Sequence, residues 1–455
     1  MERLFGTDGI RGVVNELMNP QFALEIGYAI GTYLGNKGKA GLAIDTRTSN
    51  IVLKSAMLSG LLATGINVID FGIVPTPALQ FGVKKLRLDF GVVITASHNP
   101  PEFNGIKCID RDGTELAREN EEKIEQIYFS KSYKYVKWDS LGKISTANII
   151  QDYINTALSL VDIKIIKSAN LKIVVDCANG AGCFTTPYLL EKLNCKITKL
   201  NTKPQGIPSH PSEPTPENLE QLMSCVKAVN ADLGIAHDGD ADRAIFVDEL
   251  GNYIPGEKML ALCARELVKE NRGGVVVTAV SSSSCLEDVV KAEGGEVEYT
   301  KVGSPVIARV MRKKKAVFGG EENGGLIFPK FQYCRDGAIA VAKVLEILVR
   351  SKNKLSELIA SIPQYYLYKT KISCPEELKQ KAIDNYIKLK QAQNLKLLTI
   401  DGAKIYFKEG WVLVRPSGTE PIYRIFAEAK SLAKAKEIAE KEKKLIENVI
   451  RKSAV

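Results

Sequence analysis

From the N-terminus to residue 362, short apolar runs alternate with stretches of helical spacing, and this alternation narrows the fold more than any other feature. The runs 41–44, 67–71, 88–94, 171–175, 231–236, 274–279, 296–300 and 316–318 are strand-like, with Gly, Pro or polar residues at their ends. Between them, 20–34, 51–64, 216–229, 256–270, 284–293 and 336–350 read as helices. Strands alternating with helices predict βαβ units and a largely parallel sheet. Three such units follow one another, 1–146, 147–250 and 251–362. They share a pattern without strong sequence identity, so an internal structural repeat is expected from pattern alone. The last segment, 363–455, changes character. It has four strand-like runs, 396–400, 403–407, 410–415 and 423–429, and a closing helix at 431–450. The fold class is therefore α/β, with three mixed α/β domains and a smaller C-terminal α+β domain.

Several apolar runs end abruptly in polar clusters, where open α/β sheets place their chemistry. Run 88–94 breaks into Thr95-Ala96-Ser97-His98-Asn99-Pro100-Pro101. Two prolines end the strand and stiffen the turn, displaying a hydroxyl, an imidazole and an amide in a row. Ser97 is the expected carrier of a phosphoryl group; a plain Ser/Asn-rich loop is the alternative. The local sequence is not the G-x-S-x-G of a hydrolase. If the backbone is extended, His98 points away from Ser97 and is not its base. The chain has three histidines in all, too few for a His-rich two-zinc phosphatase. Lys107 with a lowered pKa would move a proton, and a structural lysine on a strand is the alternative.

Run 231–236 leads into Asp238-Gly-Asp240-Ala-Asp242-Arg243. Small spacers let carboxylates at i, i+2 and i+4 converge on one hard cation, and oxygen-only ligation favours Mg²⁺ or Ca²⁺ over zinc. The calcium-loop pattern lacks its twelfth-position Glu. An acidic solvent turn is the alternative, but packed carboxylates repel without a cation. Arg415-Pro-Ser417-Gly418-Thr419-Glu420-Pro421 lies between two expected strands. Its turn N–H groups, hydroxyls and guanidinium suit a phosphate, although the same residues make ordinary β-turns. In Gly320-Glu321-Glu322-Asn323-Gly324-Gly325, Glu321, Glu322 and Asn323 are suited to sugar hydroxyls or to a polar turn.

Charge decides little. The net charge of +9 suits an anionic small substrate or nucleic acid, but no basic segment is interleaved with aromatics. The densest cluster, Arg309, Arg312, Lys313, Lys314 and Lys315, reads as a solvated helix face. No apolar run reaches the roughly 18 residues of a membrane span, and the opening MERLFGTDGIRG has no secretory apolar core. Nine cysteines without a C-x-x-C pair suggest structural thiols in a reducing cytoplasm, unless the source is a hyperthermophile with intracellular disulfides.

FGTDGIRG, TASHNP, DGDADR, GEENGG and RPSGTEP, in this order, resemble the α-D-phosphohexomutase family over nearly the whole chain. The resemblance implies three related α/β domains and a fourth, TATA-box-binding-protein-like domain around a central cleft. It implies a phosphoserine at Ser97 and Mg²⁺ held by Asp238, Asp240, Asp242 and the Ser97 phosphate. Glu321 and Asn323 then contact the sugar, while Arg415, Ser417, Gly418 and Thr419 hold the non-reacting phosphate. Arg11, His98, Lys107 and Arg243 match further active-site positions. The implied reaction interconverts hexose 1-phosphate and hexose 6-phosphate through a hexose 1,6-bisphosphate, which is intermediate and activator. Expected partners are small-molecule sugar phosphates, with no nucleic acid and no membrane; the expected location is cytoplasmic, and a homodimer stays open. Two departures bear on substrate. The sugar loop is not the common G-E-x-S-G-H, and Lys301-Val302-Gly303-Ser304 stands where many bacterial members have histidine. The opening and serine loops are similar to phosphoglucosamine mutases, and the sugar loop to archaeal phosphomannomutase/phosphoglucomutases. A broad mannose/glucose mutase is the favoured expectation, phosphoglucosamine mutase the alternative and a Mg²⁺-dependent sugar phosphatase the remote one.

Overall fold

In the computed structural model, which describes residues 3–417 and 420–453, four sheets account for the strands. The first contains β1 (Ile10–Val13), β2 (Lys39–Ile44), β3 (Asn67–Ile73), β4 (Phe90–Ile94), β5 (Phe103–Asp110) and β6 (Ile144–Thr146), in the order β1-β5-β4-β2-β3-β6. The second contains β7 (Lys172–Asp176), β8 (Lys196–Leu200), β9 (Leu233–Ala236), β10 (Ile245–Val247) and β11 (Tyr253–Ile254), ordered β11-β10-β9-β7-β8. The third contains β12 (Gly274–Ala279), β13 (Gly295–Thr300), β14 (Phe318–Gly320) and β15 (Leu326–Ile327), ordered β13-β12-β14-β15.

The three sheets share one core of four strands. In each, two parallel strands (β2 and β3, β7 and β8, β12 and β13) are followed by a third (β4, β9, β14) that pairs parallel with the first. The chain then reverses into an antiparallel neighbour (β5, β10, β15). The sheets are therefore mixed rather than largely parallel. The reversals carry residues 95–102, 237–244 and 321–325, so the serine, acidic and sugar loops occupy the same topological position. The third strands read FGVVI, LGIA and FGG and are wholly buried. Strands covered on both faces need apolar residues at every position, not alternate ones. The step from continuous burial to a polar reversal places reactive side chains at the carboxyl ends.

Strand β5 starts at Phe103, just past the two prolines, and carries Lys107. The second sheet also runs past residue 250, because β11 pairs with β10. The fourth sheet holds β16 (Tyr366–Ser373), β17 (Leu397–Leu398), β18 (Ala403–Phe407), β19 (Gly410–Pro416) and β20 (Ile422–Ala429) in the order β16-β20-β19-β18-β17, all antiparallel. Strand β16 and the helix Glu376–Gln391 had no counterpart in the sequence reading. Both are lysine-rich and only partly buried, so their apolar period is weak. This domain docks through Lys404, whose Nζ donates to the carbonyls of Val280 (2.8 Å) and Ser282 (3.2 Å). Among the described residues no helix is long and apolar enough to cross a membrane. All nine cysteines are free. The basic cluster is not simply a solvated face: Arg309 donates to the carbonyl of Glu115 and Arg312 pairs with Asp112, joining the third unit to the first.

Candidate active site

Ser97 is fully buried and sits in the left-handed region at φ 52°. Thr95 fixes the turn: its hydroxyl donates to Asp45 Oδ2 (2.6 Å) and accepts the Ser97 N–H (2.9 Å). Arg47 grips the same turn from outside, donating to the carbonyls of Ser97, Asn99, Pro100 and Phe103. Four carbonyls held by one planar guanidinium leave the turn little freedom. The Ser97 hydroxyl donates to Asp238 Oδ2 at 2.6 Å.

Asp238, Asp240 and Asp242 are buried, with one oxygen of each within 4.8 Å of the others. Burial, together with Asp242 and Asp240, pushes the Asp238 carboxyl well above its usual range. Asp240 is held below that range. Its burial is outweighed by Lys107 and by the Thr76 hydroxyl, which donates to Oδ2 at 2.6 Å. Asp240 Oδ1 and Asp242 Oδ1 are buried without a hydrogen-bond partner. Unpartnered buried oxygens are costly, and here they lie in one cluster of oxygen donors. That donor set fits a hard divalent cation such as Mg²⁺.

The cations are distributed around this loop. Lys107 Nζ lies 2.9 Å from Asp240 Oδ2, 3.2 Å from Asp242 Oδ2 and 3.3 Å from Asp8 Oδ1. Burial draws its pKa down, but Asp240, Asp242 and Asp8 outweigh that effect and hold it above the ordinary lysine value. The lowered pKa expected for Lys107 is therefore absent, and the side chain is an ammonium. The Arg243 guanidinium donates to Glu213 Oε1 (3.2 Å) and to His98 Nδ1 (3.1 Å). His98 Nδ1 also lies 3.2 Å from Ser97 Oγ. The expectation that His98 points away assumed an extended backbone, and the left-handed turn at Ser97 removes that premise. Burial first, then Arg243 and Arg11, pull the imidazole down to about 3, so the ring is neutral. Arg11 donates to Asn99 Oδ1 (2.8 Å) and pairs with Asp8 Oδ2 (2.5 Å).

Glu321 accepts from the Gly303 N–H (3.2 Å) and from Arg335 Nη1 (3.2 Å). Arg335 Nη2 reaches Asp242 Oδ2 (2.7 Å) and Asp8 Oδ2 (3.3 Å). Asn323 closes its own turn, accepting from the Gly325 N–H at 3.1 Å. Arg415 Nε donates to Asp401 Oδ2 (2.6 Å), and the same oxygen accepts the Val302 N–H (3.1 Å). Ser417 is fixed by its backbone: its N–H donates to the Ile422 carbonyl (2.9 Å), and its carbonyl accepts from Lys379 Nζ (2.8 Å). Gly418 and Thr419 lie outside the described residues.

The serine, acidic, sugar and N-terminal loops thus form one network of charged side chains, joined through residues 301–304 to Arg415. A cleft of about 540 Å³ borders it, with Thr7, Lys301, Gly303, Asp401, Arg415 and Ser417 among its lining residues. A larger cavity of about 1090 Å³, around Arg265 and Lys343, shares no residue with these loops. The sequence reading missed Asp8, Arg47, Glu213, Arg335 and Asp401. Asp8 lies inside FGTDGIRG and Arg47 follows a strand end, which were usable signals. Arg335 and Asp401 carry none, because their partners are remote in sequence.

Comparison with known proteins identifies the family and the fold. The phosphoglucomutase/phosphomannomutase models match α/β/α domain I at residues 2–134, domain II at 151–251, domain III at 255–366 and the C-terminal domain at 370–445. The chain is 46% identical to a phosphoglucomutase/phosphomannomutase of Thermococcus kodakarensis, covering 99% of this chain and 100% of that protein. It is 42% identical to a phosphoglucosamine/phosphogalactosamine mutase of Sulfurisphaera tokodaii, over 98% and 100% of the two chains. The crystal structure of a phosphoglucomutase/phosphomannomutase family protein from Burkholderia thailandensis superposes with a TM-score of 0.87 at 27% identity, covering 99% and 98%. Buried serine, acidic loop and shared domain order lead to one assignment: the chain belongs to the phosphoglucomutase/phosphomannomutase family and is a phosphohexomutase, an enzyme that transfers phosphate intramolecularly.

Proposed function

We propose that this enzyme interconverts the 1- and 6-phosphates of mannose and glucose through a phosphorylated Ser97 and a hexose 1,6-bisphosphate. The observation that carries this reading is the 2.6 Å hydrogen bond from Ser97 Oγ to Asp238, on a loop where Asp240 Oδ1 and Asp242 Oδ1 are buried without hydrogen-bond partners. Mg²⁺ held by Asp238, Asp240 and Asp242 would offset charge on the transferring phosphoryl group. The P–O bond to Ser97 breaks as a P–O bond to a sugar hydroxyl oxygen forms, and the proton of that hydroxyl passes in net to Ser97 Oγ; after the bisphosphate turns end for end, its other phosphoryl returns to Ser97 and the proton returns to the freed sugar oxygen. Lys107 and Arg243 bring positive charge to the acidic loop beside the buried serine, stabilising charge that develops during transfer. His98, neutral and engaged by Arg243, acts as a polar contact. Arg415 and Ser417, across the cleft, hold the phosphate that is not reacting, and Glu321 accepts from sugar hydroxyls. Burial of Ser97 limits the access of water, which would otherwise hydrolyse the phosphoserine.

Glucosamine phosphate is the second reading, favoured by the Sulfurisphaera tokodaii relative. Assays of glucose 1-phosphate, mannose 1-phosphate and glucosamine 1-phosphate with Mg²⁺ and a trace of the matching bisphosphate decide between them. Fastest turnover of glucosamine 1-phosphate would replace the favoured reading. Release of free phosphate without isomerisation would make the enzyme a phosphatase and overturn both.

A further inference from the structure

The Arg335 side chain lies across the backbone at Gly325. A Cβ on Gly325 would stand well inside 3.0 Å of Arg335 Cδ and 2.9 Å from Arg335 Cγ. Gly325 is also one of two positions, with Asn323, at which the sugar loop departs from G-E-x-S-G-H. The bare backbone at 325 and the arginine at 335 are thus one feature, since a side chain at the first would force the second to shift.

Past Gly325 the guanidinium is buried, 5% exposed, and reaches three loops from three sheets. Nη2 donates to Asp242 Oδ2 and Asp8 Oδ2, and Nη1 to Glu321 Oε2. Lys107 approaches the same Asp242 oxygen at 3.2 Å. Two cations therefore occupy Asp242 Oδ2, whereas Oδ1 is buried on the acidic loop with no hydrogen-bond partner and only Arg243 Nε, at 3.8 Å, as a counter-charge. A planar guanidinium imposes direction as well as charge. Neighbours that hold a ligand's second oxygen orient its first toward a metal. Simple bridging of domains is the rival role, but it does not require one oxygen of Asp242 to be engaged twice and the other left without a hydrogen bond.

We infer that Arg335 is a positioning residue of this active site: it turns Asp242 Oδ1 to the metal and ties the sugar-contacting Glu321 to the same guanidinium. The inference rests on the proposed mutase reading for its role in turnover, whereas its metal component is measured without substrate. Binding of Mn²⁺ to the full-length protein, followed by electron paramagnetic resonance, tests it in wild type, Arg335→Ala, Arg335→Lys, Gly325→Ala and Gly325→Ala/Arg335→Ala.

Arg335→Ala should weaken Mn²⁺ binding by roughly 10–100-fold, and Arg335→Lys should recover part of the loss. Gly325→Ala alone should reproduce the loss by displacing Arg335, yet add no more than about twofold on the Arg335→Ala background, as coupled neighbours do. Arg335→Lys and Gly325→Ala carry the test if Arg335→Ala fails to fold. Unchanged Mn²⁺ affinity in Arg335→Ala, or in Gly325→Ala, would overturn the inference, as would a wild type that binds no Mn²⁺. If Mn²⁺ binding follows the expected pattern but no hexose phosphate is isomerised, the metal-positioning role stands and the proposed function falls.

Discussion

Gly239 faces the carbonyl oxygen of Ser97, and a Cβ at 239 would stand well under 3.0 Å from that oxygen. The close approach lets Asp238 accept the serine hydroxyl at 2.6 Å. Only glycine permits it, so the acidic loop and the serine loop meet through backbone as well as through side chains. Gly239→Ala should separate the two loops. Displacement of about 1 Å at a reacting centre costs roughly 100-fold in rate, so kcat should fall by about that factor. Steady-state isomerisation checks this, and activity within threefold of wild type would mean that the loops need not touch.

Ser97→Ala removes the covalent carrier. Isomerisation should fall by at least about three orders of magnitude. Protein treated with ³²P-labelled hexose bisphosphate should lose its label. Near-normal turnover by the variant would exclude Ser97 as the carrier.

Chelation should abolish turnover, and Mg²⁺ should restore it. In Asp240→Asn the side chain can still accept from Thr76, but it loses charge beside Lys107. The Mg²⁺ concentration for half-maximal rate should rise at least about tenfold. An unchanged Mg²⁺ requirement would place the ion elsewhere.

Asp401 holds Arg415 Nε and the Val302 N–H on one oxygen. Asp401→Ala frees the guanidinium and unpins the 301–304 loop. A charge-assisted hydrogen bond contributes about 1.5–3 kcal/mol, which corresponds to a KM increase of roughly tenfold or more. Titration of rate against hexose phosphate measures it. A fall in kcat alone would show that Asp401 acts on the chemical step instead.

Lys404 is buried beneath Trp411, with Nζ 3.9 Å from the ring centroid. Burial pulls its pKa from 10.5 to about 8, against the opposing pull of Glu428, Glu322 and Glu287. The folded pKa thus lies below the unfolded one. Below pH 8 both states carry the proton, and the folded state bears the full cost of a buried charge. Between pH 8 and 10.5 the unfolded chain binds more protons, so stability rises with pH by roughly 3 kcal/mol in all. The neutral amine still donates to Val280 and Ser282. Urea unfolding across this range should show a rise in wild type that Lys404→Met lacks; parallel pH profiles would refute the shift.

The ends of β4, β9 and β14 were legible in the sequence because an apolar run that stops at a polar cluster leaves a local signature. Ser97, Glu321 and the carboxylates at 238, 240 and 242 lie just past such ends. Proline and glycine around them signalled turns, whatever the domains did later. Helix Glu376–Gln391 and strand β16 were hidden because half-exposed, lysine-rich elements carry a weak apolar period. The orientation of His98 went wrong for another local reason, since nothing in Ser-His-Asn announces a left-handed turn at Ser97.

What the sequence determined by itself was the order of elements and the chemical type of each loop, because strand burial, turn formation and carboxylate spacing act within a few residues. The tertiary structure decided which loops share charge. Arg335 meets Asp8 across 327 residues and Asp242 across 93, and Lys107 meets Asp240 across 133. Those pairings depend on the docking of three separate sheets, in which each buried charge must find its counter-ion. The same docking raised the pKa of Lys107 where sequence reasoning expected it lowered: burial alone would lower it, and only the folded chain surrounds that ammonium with three carboxylates.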